Sequence, residues 1–192
     1  MINKINIKNT TILAKNWGTL SKIDFDFTNS NNETHELSRE VYDHGDGASI
    51  LLYNLEKKTV ILTKQFRMPF YLHDRNEGMS IEACAGLLDG DDPETCAKRE
   101  ALEETGFQVT NLEKVCEVYA SPGSLSEFLY LYVAEYTDAD KIEKGGGLDE
   151  EFEDIEILEL PFSEALALIK KGKIQDSKTV ILLQHILVKG IM

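Results

Sequence analysis

The stretch over residues 85–107 places a glycine-containing loop directly before a charged helix, and it constrains the fold more than any other part of the chain. Asp92 can cap the N-terminus of that helix, and Pro93 suits the first helical position, where a missing N–H costs no hydrogen bond. Gly106 stands where a left-handed residue commonly ends a helix. The sequence therefore predicts a loop, a helix and a glycine stop in immediate succession.

Carboxylates are concentrated on one turn of this helix. Glu100 and Glu104 are four residues apart and share a face, while Glu103 lies beside Glu100. Arg99 precedes Glu103 by four residues and can form an ion pair with it. Crowded carboxylates repel one another unless a cation lies among them, and hard oxygen ligands suit Mg²⁺ or Mn²⁺. A solvated charged helix face is the alternative interpretation.

The stretch resembles the signature of the Nudix hydrolases, in which a glycine loop leads into an Arg-Glu-x-x-Glu-Glu-x-Gly core. The matching residues are Gly86, Arg99, Glu100, Ala101, Glu103, Glu104, Gly106 and Phe107. The interval from Gly86 to Arg99 is one residue shorter than in the family pattern, and Asp91 or Asp92 stands where the family has its first glutamate. The mixture of helices and antiparallel hairpins along the chain predicts an α+β fold. The resemblance implies that this is the Nudix α/β/α sandwich with a mixed central sheet.

Charge and composition exclude several kinds of partner. The formal net charge of −14 argues against nucleic acid, because its phosphates would be repelled. The N-terminal residues carry no apolar signal core, and no tract reaches the roughly 20 apolar residues of a membrane span. Three cysteines without paired spacing indicate reduced thiols. We therefore expect a cytoplasmic protein that binds neither nucleic acid nor membrane.

Periodicity predicts most of the secondary structure. Alternation over 19–28 and a returning strand at 34–42 predict an N-terminal antiparallel hairpin extension at 1–44, before a hydrolase domain at 45–192. Further strands are expected at 48–53, 59–66, 80–85, 115–119, 127–136 and 155–160. Residues 68–80 are expected to form a polar loop. Helices are expected from Pro161 to Lys171 and after Asp176, the last with Val180, Leu183, Ile186 and Leu187 on one face.

An isolated two-stranded hairpin is only marginally stable in water. We therefore expect the N-terminal hairpin to pack across a homodimer interface.

Residues 137–154 form a long loop in which three glycines, 145–147, precede a run of acidic residues. By resemblance to sugar-nucleotide and ADP-ribose hydrolases, a glutamate of this loop acts as a metal ligand or base. Counting forward from the glycines points to Glu151, which is slightly favoured, and counting back from the strand at 155–160 points to Glu153. A solvated linker is the alternative.

The family resemblance implies a metal site and a catalytic group. Its metal ligands are the carbonyl of Ala85 and the carboxylates of Glu100, Glu104 and Glu151. The candidates for a catalytic role are Glu151, Glu153 and Glu103, the last equally explained by its pair with Arg99. The expected ion is Mg²⁺, with Mn²⁺ as a possible substitute.

Segments along nearly the whole chain resemble the bacterial GDP-mannose pyrophosphatase branch of the family. They lie at 39–43, 65–67, 81–89, 121–123, 145–147, 158–162 and 176–179. This resemblance implies Mg²⁺-dependent cleavage of GDP-mannose to GMP and mannose 1-phosphate by a homodimer with exchanged N-terminal hairpins. The close alternative is an ADP-ribose pyrophosphatase, and the alternative of a different class is a non-catalytic, nucleotide-sensing Nudix domain.

The same branch implies a set of substrate-binding residues. They are Trp17, Ser38, Arg39, Glu40, Arg67, Ala85, Gly86, Leu87, Glu104, Glu127, Glu150, Glu151 and Lys178. Trp17 would stack on the base, Arg39 would reach into the other subunit's site, and Arg67 would bind phosphate in a bidentate way. Ser38 and Trp17 replace the basic residue and the tyrosine expected at those positions.

Overall fold

The computed structural model describes residues 4–74, 77–148 and 153–192. The chain divides into two compact units, one comprising Met1–Asp46 with Tyr119–Phe128 and the other Gly47–Val118 with Leu129–Met192. Among the described residues, none of the helices has the length and apolar character needed to cross a membrane. The division into domains at 1–44 and 45–192 stays a prediction.

The first unit contains a three-stranded antiparallel sheet in the order β1-β2-β3. Its strands are β1 (Lys4–Lys15), β2 (Thr19–Thr28) and β3 (Thr34–Asp43). The predicted hairpin is confirmed as β2 and β3, and Asn29 stabilises its turn by accepting hydrogen bonds from the main-chain N–H groups of Asn31 and Glu33. Strand β1 was not predicted, because irregularities in its register after Ile7 and Ile12 break the alternation of its side chains.

The second unit is built on a mixed sheet. Its elements are β4 (Gly47–Asn54), β5 (Thr59–Phe66), α1 (Met68–Asp74), β6 (Met79–Glu82), β7 (Cys84–Leu87), α2 (Pro93–Thr105), β8 (Glu113–Tyr119), β9 (Phe128–Glu135), β10 (Glu156–Pro161), α3 (Phe162–Lys170) and α4 (Ser177–Lys189). The main path of the sheet runs β10-β5-β4-β9-β8, with β6 paired to β5 and β7 paired to β4. Strands β4 and β9 are parallel, whereas β5, β7 and β10 pair in antiparallel fashion. The predicted α+β fold with a mixed sheet is confirmed.

Strand β4 lies at the centre of the core and is buried on both faces. Its residues Ala48, Ile50 and Leu52 share one apolar cluster with Ala97 and Ala101 of α2. The alternate residues of the strand face the other side of the sheet, and α4 packs against β4 with Leu182, Leu183 and Ile186 fully buried. The sheet therefore fixes the position of α2, the helix that carries the signature carboxylates.

Two predictions of local structure were wrong. Residues 68–74 form helix α1 instead of a loop, and the first turn is closed by a hydrogen bond from Tyr71 N to Arg67 O. In α4, Leu187 is 50% exposed and does not belong to the buried face. The buried residues of α4 are Thr179, Leu182, Leu183 and Ile186, and Thr179 Oγ1 accepts a hydrogen bond from Ala83 N at 2.7 Å.

Candidate active site

Helix α2 begins and ends at the residues that the sequence predicts. Asp92 Oδ1 accepts hydrogen bonds from Glu94 N at 3.1 Å and Thr95 N at 3.2 Å. Gly106 is left-handed with a φ of 78°, and its N–H donates to Leu102 O. Because both ends are capped, the acidic turn of the helix has a defined orientation toward the loop before it.

Arg99 draws the acidic side chains together. Its Nη1 donates to Glu100 Oε1 at 2.7 Å and to Glu103 Oε2 at 3.2 Å, which confirms the predicted ion pair. Its Nε donates to Asp91 Oδ2 at 3.2 Å and its Nη2 to Leu87 O at 3.1 Å. Of the two aspartates near the family's first acidic position, Asp91 joins this cluster. The guanidinium reduces carboxylate repulsion and ties α2 to the preceding loop.

Gly86 leaves room for the side chain of Glu100. A Cβ atom at Gly86 would lie 2.0 Å from Glu100 Oε1 and 2.2 Å from its carboxyl carbon. Any larger residue would therefore displace the Glu100 carboxylate. The glycine is required here by close approach and not by an unusual φ angle.

Glu104 is the most deeply buried carboxylate of the helix, with 2% of the residue exposed. Its Oε1 accepts a hydrogen bond from Gln65 Nε2 at 3.4 Å, while its Oε2 is buried without a partner in the described part of the chain. Burial, together with the negative charges of Glu100 and Glu153, raises the pKa of Glu104 to about 8. Burial also raises the pKa of Glu100 to about 7, although Arg99 opposes the shift.

These features fit a hard divalent cation. Two adjacent buried carboxylates resist ionisation, and one presents an oxygen that no described group binds. Within residues 4–74, 77–148 and 153–192, no three His, Cys, Asp or Glu side chains are grouped for metal binding. The predicted ligand Glu151 lies outside these ranges, and the predicted ligand Ala85 lies in strand β7.

The acidic loop is attached to the end of α2. Gly146 N donates to Glu104 O at 2.9 Å, and Gly147 N donates to Glu103 O at 3.1 Å. Leu148, the next residue, donates from its main-chain N–H to Glu153 Oε2 at 3.1 Å. The structure therefore brings Glu153 near the helical carboxylates. Glu150 and Glu151 lie outside the described residues, so the choice between Glu151 and Glu153 stays a prediction.

Two predicted substrate-binding cations meet at a buried carboxylate that sequence reasoning missed. Arg67 donates from Nε to Glu82 Oε1 at 3.1 Å and from Nη2 to Glu82 Oε2 at 3.0 Å. Lys178 Nζ lies 3.7 Å from Glu82 Oε2 and 2.6 Å from Asp176 Oδ1. Burial opposes ionisation of Glu82, yet Arg67 and Lys178 hold its pKa below the usual value. A charged residue inside the predicted apolar strand at 80–85, a range that the structure divides between β6 and β7, was the available signal.

The first unit holds the other predicted substrate-binding residues. Trp17 is 72% exposed, and its ring stacks on His44 with centroids 4.8 Å apart. His44 Nε2 lies 3.8 Å from Glu127 Oε2. Ser38 Oγ donates to Asp24 Oδ1 at 2.7 Å. Strand β3 also carries Arg39 and Glu40, both exposed. The structure therefore groups Trp17 with Glu127, through a histidine that sequence reasoning did not select.

Comparisons with known proteins identify the family. A family model described as the GDP-mannose pyrophosphatase NudK N-terminal domain matches residues 4–42, and the NUDIX domain model matches residues 43–183. A solved structure titled as an ADP compounds hydrolase has a TM-score of 0.72 at 20% identity, covering 98% of this chain and 96% of that chain, and it shows the same fold.

Curated relatives match along the full length. The GDP-mannose pyrophosphatase of Cronobacter sakazakii is 51% identical over 181 residues, or 94% of each chain. That of Enterobacter sp. (strain 638) is 49% identical over 98% of each chain, and that of Escherichia coli O1:K1 is 46% identical over the whole of both. The predicted family is confirmed: the chain belongs to the Nudix family, together with these bacterial GDP-mannose pyrophosphatases.

Proposed function

We propose that the protein is a Mg²⁺-dependent hydrolase that cleaves the pyrophosphate of GDP-mannose to give GMP and mannose 1-phosphate. Identity of 46–51% over nearly the whole chain to proteins named GDP-mannose pyrophosphatase carries this proposal. The buried pair Glu100 and Glu104 is consistent with it, because pyrophosphate cleavage needs carboxylates that hold cations.

Nudix hydrolases use divalent metal ions, and Mg²⁺ is the ion we propose for this chain. It would be held by the carboxylates of Glu100 and Glu104, the carbonyl of Ala85, and Glu151. When bound, the cation supplies positive charge to pyrophosphate oxygens and makes a water molecule more acidic near neutral pH. Gln65 occupies one oxygen of Glu104, which leaves the other oxygen available for coordination.

Protein side chains would neutralise the remaining charge of the substrate and accept a proton from the attacking water. Arg67 and Lys178 offer positive charge to an anionic substrate in a protein whose net charge is −14. Glu151 or Glu153 would take the proton of the attacking water as the general base. Glu103 stays a candidate, but its ion pair with Arg99 at 3.2 Å favours a supporting role.

Substrate recognition would extend to the first unit. The exposed Trp17 ring is suited to stacking on the guanine base, and Glu127 lies beside His44, on which that ring stacks. Ser38, Arg39 and Glu40 would contact the substrate bound by the other subunit. The loop residue Glu150 completes the proposed set, with Gly86 and Leu87 lining the site from the signature loop.

The active assembly would be a homodimer with exchanged N-terminal strands. Strand β1 supports this assembly, because Ile5, Ile7, Ile12 and Leu13 are between 47% and 64% exposed and a partner would cover them. The thiols of Cys84, Cys96 and Cys116 are unpaired, which supports a cytoplasmic location.

Product analysis by ion-exchange chromatography tests the proposal. The purified protein is incubated with Mg²⁺ and either GDP-mannose or ADP-ribose, with the Glu100→Gln variant as the control. GMP formed much faster than AMP, and only by the unmodified protein, is the expected result. AMP as the main product would assign ADP-ribose as substrate. The absence of both products would favour a non-catalytic nucleotide-binding domain.

A further inference from the structure

Glu82 is a buried charge at the junction of two elements. It is the last residue of β6 and only 4% exposed. A carboxylate in such a place is costly unless cations and hydrogen bonds compensate it. Arg67, which directly follows β5, and Lys178, in the first turn of α4, provide that compensation.

We propose that Glu82 is a positioning residue that holds Arg67 and Lys178 in place as a two-cation site for the pyrophosphate of the substrate. The proposal rests on the proposed function, since it assigns these two cations to substrate phosphate. Glu82 itself would touch neither substrate nor metal.

The geometry at Arg67 is that of a fixed guanidinium. Both oxygens of Glu82 accept from it, at 3.1 and 3.0 Å, and a two-point contact sets the plane of the group as well as its distance. A single hydrogen bond would leave the guanidinium free to rotate. The orientation in which Arg67 meets an anion is therefore determined by Glu82.

The geometry at Lys178 shows that the carboxylate also organises the start of α4. Lys178 Nζ lies between Glu82 Oε2 at 3.7 Å and Asp176 Oδ1 at 2.6 Å. The residue after Glu82, Ala83, donates its N–H to Thr179 Oγ1, next to Lys178. Two successive residues at the end of β6, Glu82 and Ala83, are thus joined to two successive residues of α4, which keeps the lysine beside the arginine.

The charges of this cluster balance before substrate binds. Arg67 and Lys178 are matched by Glu82 and Asp176, so the cations are available without an unpaired charge in the interior. Gln65, which donates to Glu104 Oε1 at 3.4 Å, lies two residues before Arg67, and this contact places the cluster beside the proposed metal ligands. A pyrophosphate held there would meet cations from both sources.

The Glu82→Gln substitution tests the proposal, because glutamine keeps the size of the side chain and removes the charge and one acceptor. Three properties are measured: KM and kcat for GDP-mannose with Mg²⁺, the binding of methylenediphosphonate by calorimetry, and the affinity of the substrate-free protein for Mn²⁺ by electron paramagnetic resonance. The control variant is Glu156→Gln, which removes an exposed ion pair with Lys64 on the same sheet.

We expect Glu82→Gln to raise KM and weaken methylenediphosphonate binding by about tenfold or more, with a smaller effect on kcat and no change in Mn²⁺ affinity. Glu156→Gln should leave all three properties unchanged. In an Arg67→Ala background, Glu82→Gln should have a clearly smaller effect on KM than in the unmodified protein, since most of its action passes through Arg67.

Three results would overturn the proposal. Unchanged KM and phosphonate binding in folded Glu82→Gln would show that the cations need no positioning. Tighter phosphonate binding would mean that Glu82 competes with the anion for the cations. Full additivity with Arg67→Ala would show that Glu82 acts elsewhere. If Glu82→Gln does not fold, Glu82→Asp replaces it, and the same measurements and criteria apply.

Failure of the proposed function is separable from failure of this inference. If the unmodified protein does not cleave GDP-mannose, KM is undefined, but methylenediphosphonate binding still reports on the two cations. Loss of that binding in Glu82→Gln, with Mn²⁺ affinity intact, would support the positioning role and reject only the substrate.

Discussion

Glu104 and Glu103 are neighbours on one helix, yet they lie in opposite electrostatic environments. Glu104 is buried with one oxygen unpartnered in the described structure, whereas Glu103 pairs with Arg99 at 3.2 Å. The first carboxylate is therefore suited to bind a cation, and the second already has one. This difference separates the two residues experimentally.

Replacing Glu104 by glutamine should reduce turnover of GDP-mannose at least about a hundredfold, because it removes a charged metal ligand. The fold should be retained, since glutamine fills the same volume. Steady-state kinetics with circular dichroism measures both properties. Glu103→Gln is the matched control on the same turn and should lose much less activity. Turnover that survives in Glu104→Gln would reject α2 as the metal site.

The raised pKa values predict how the metal-free protein responds to pH. A carboxyl whose pKa is higher in the folded chain than in the unfolded chain destabilises the fold once the pH exceeds the unfolded value. For Glu104 this pH window extends from the ordinary glutamate pKa of 4.5 to the raised pKa of about 8. In EDTA, the contribution of this group to the free energy of unfolding should therefore fall as the pH rises from 5 to about 8.

Urea unfolding of the Glu104→Gln variant measures this contribution directly. At pH 8 in EDTA the variant should be more stable than the unmodified protein, by on the order of 1–3 kcal/mol, and at pH 5 the difference should be small. Added Mg²⁺ should reverse the order, because it binds only the folded site with its full set of ligands. A difference that does not depend on pH would contradict the assignment.

The loop at 143–147 packs against the C-terminus of α2. Gly106 has a φ of 78°, and a Cβ atom there would lie 2.1 Å from Glu143 O. Gly190 caps α4 in the same left-handed conformation, with a φ of 66° and open space around it. An alanine at either position would therefore have a strained left-handed backbone, but only an alanine at Gly106 would also clash with a neighbouring atom.

Gly190→Ala should cost about 1 kcal/mol of unfolding free energy, which is the strain of a left-handed alanine. Gly106→Ala should cost at least about 1 kcal/mol more, because the loop at 143–147 must also move. Urea unfolding at constant pH measures both. Equal losses in the two variants would show that the loop contact at Gly106 contributes no stability.

Local signals in the sequence predicted the boundaries of α2, the Arg99 pair and the β2–β3 hairpin, because each depends on neighbours a few residues apart. Strand β1 was missed since its irregular register interrupts the alternation of side chains. Glu82 and Gln65 were missed because their partners Arg67 and Glu104 lie on other elements. Pairing across the sheet depends on register, which a single sequence does not reveal.

The proposed exchange of N-terminal strands between subunits can be tested by mixing two inactive variants. Arg39→Ala and Glu104→Gln should each be inactive as homodimers. In a heterodimer, one site combines intact Arg39 from one subunit with intact Glu104 from the other. Coexpression should therefore restore about a quarter of the activity of the unmodified protein. About half of the dimers are mixed, and each mixed dimer has one intact site out of two.

The readout of that experiment is the specific activity of the purified mixture. Each variant prepared alone and then combined under conditions that prevent subunit exchange serves as the control. No recovery in the coexpressed sample, with the presence of mixed dimers verified by mass spectrometry, would show that each site is complete within one subunit.

The loop over 145–155 is closed at its base. Gly146 and Gly147 are bound to the carbonyls of Glu104 and Glu103, while Leu148 and Glu153 are joined by hydrogen bonds between them. Closing a loop costs little more when a few residues are added. Residues can therefore be gained or lost between 148 and 153 in the course of evolution without displacing α2. Since the proposed metal ligand Glu151 lies in this interval, such a change would alter the carboxylates that the loop offers while Glu100 and Glu104 keep their positions on α2.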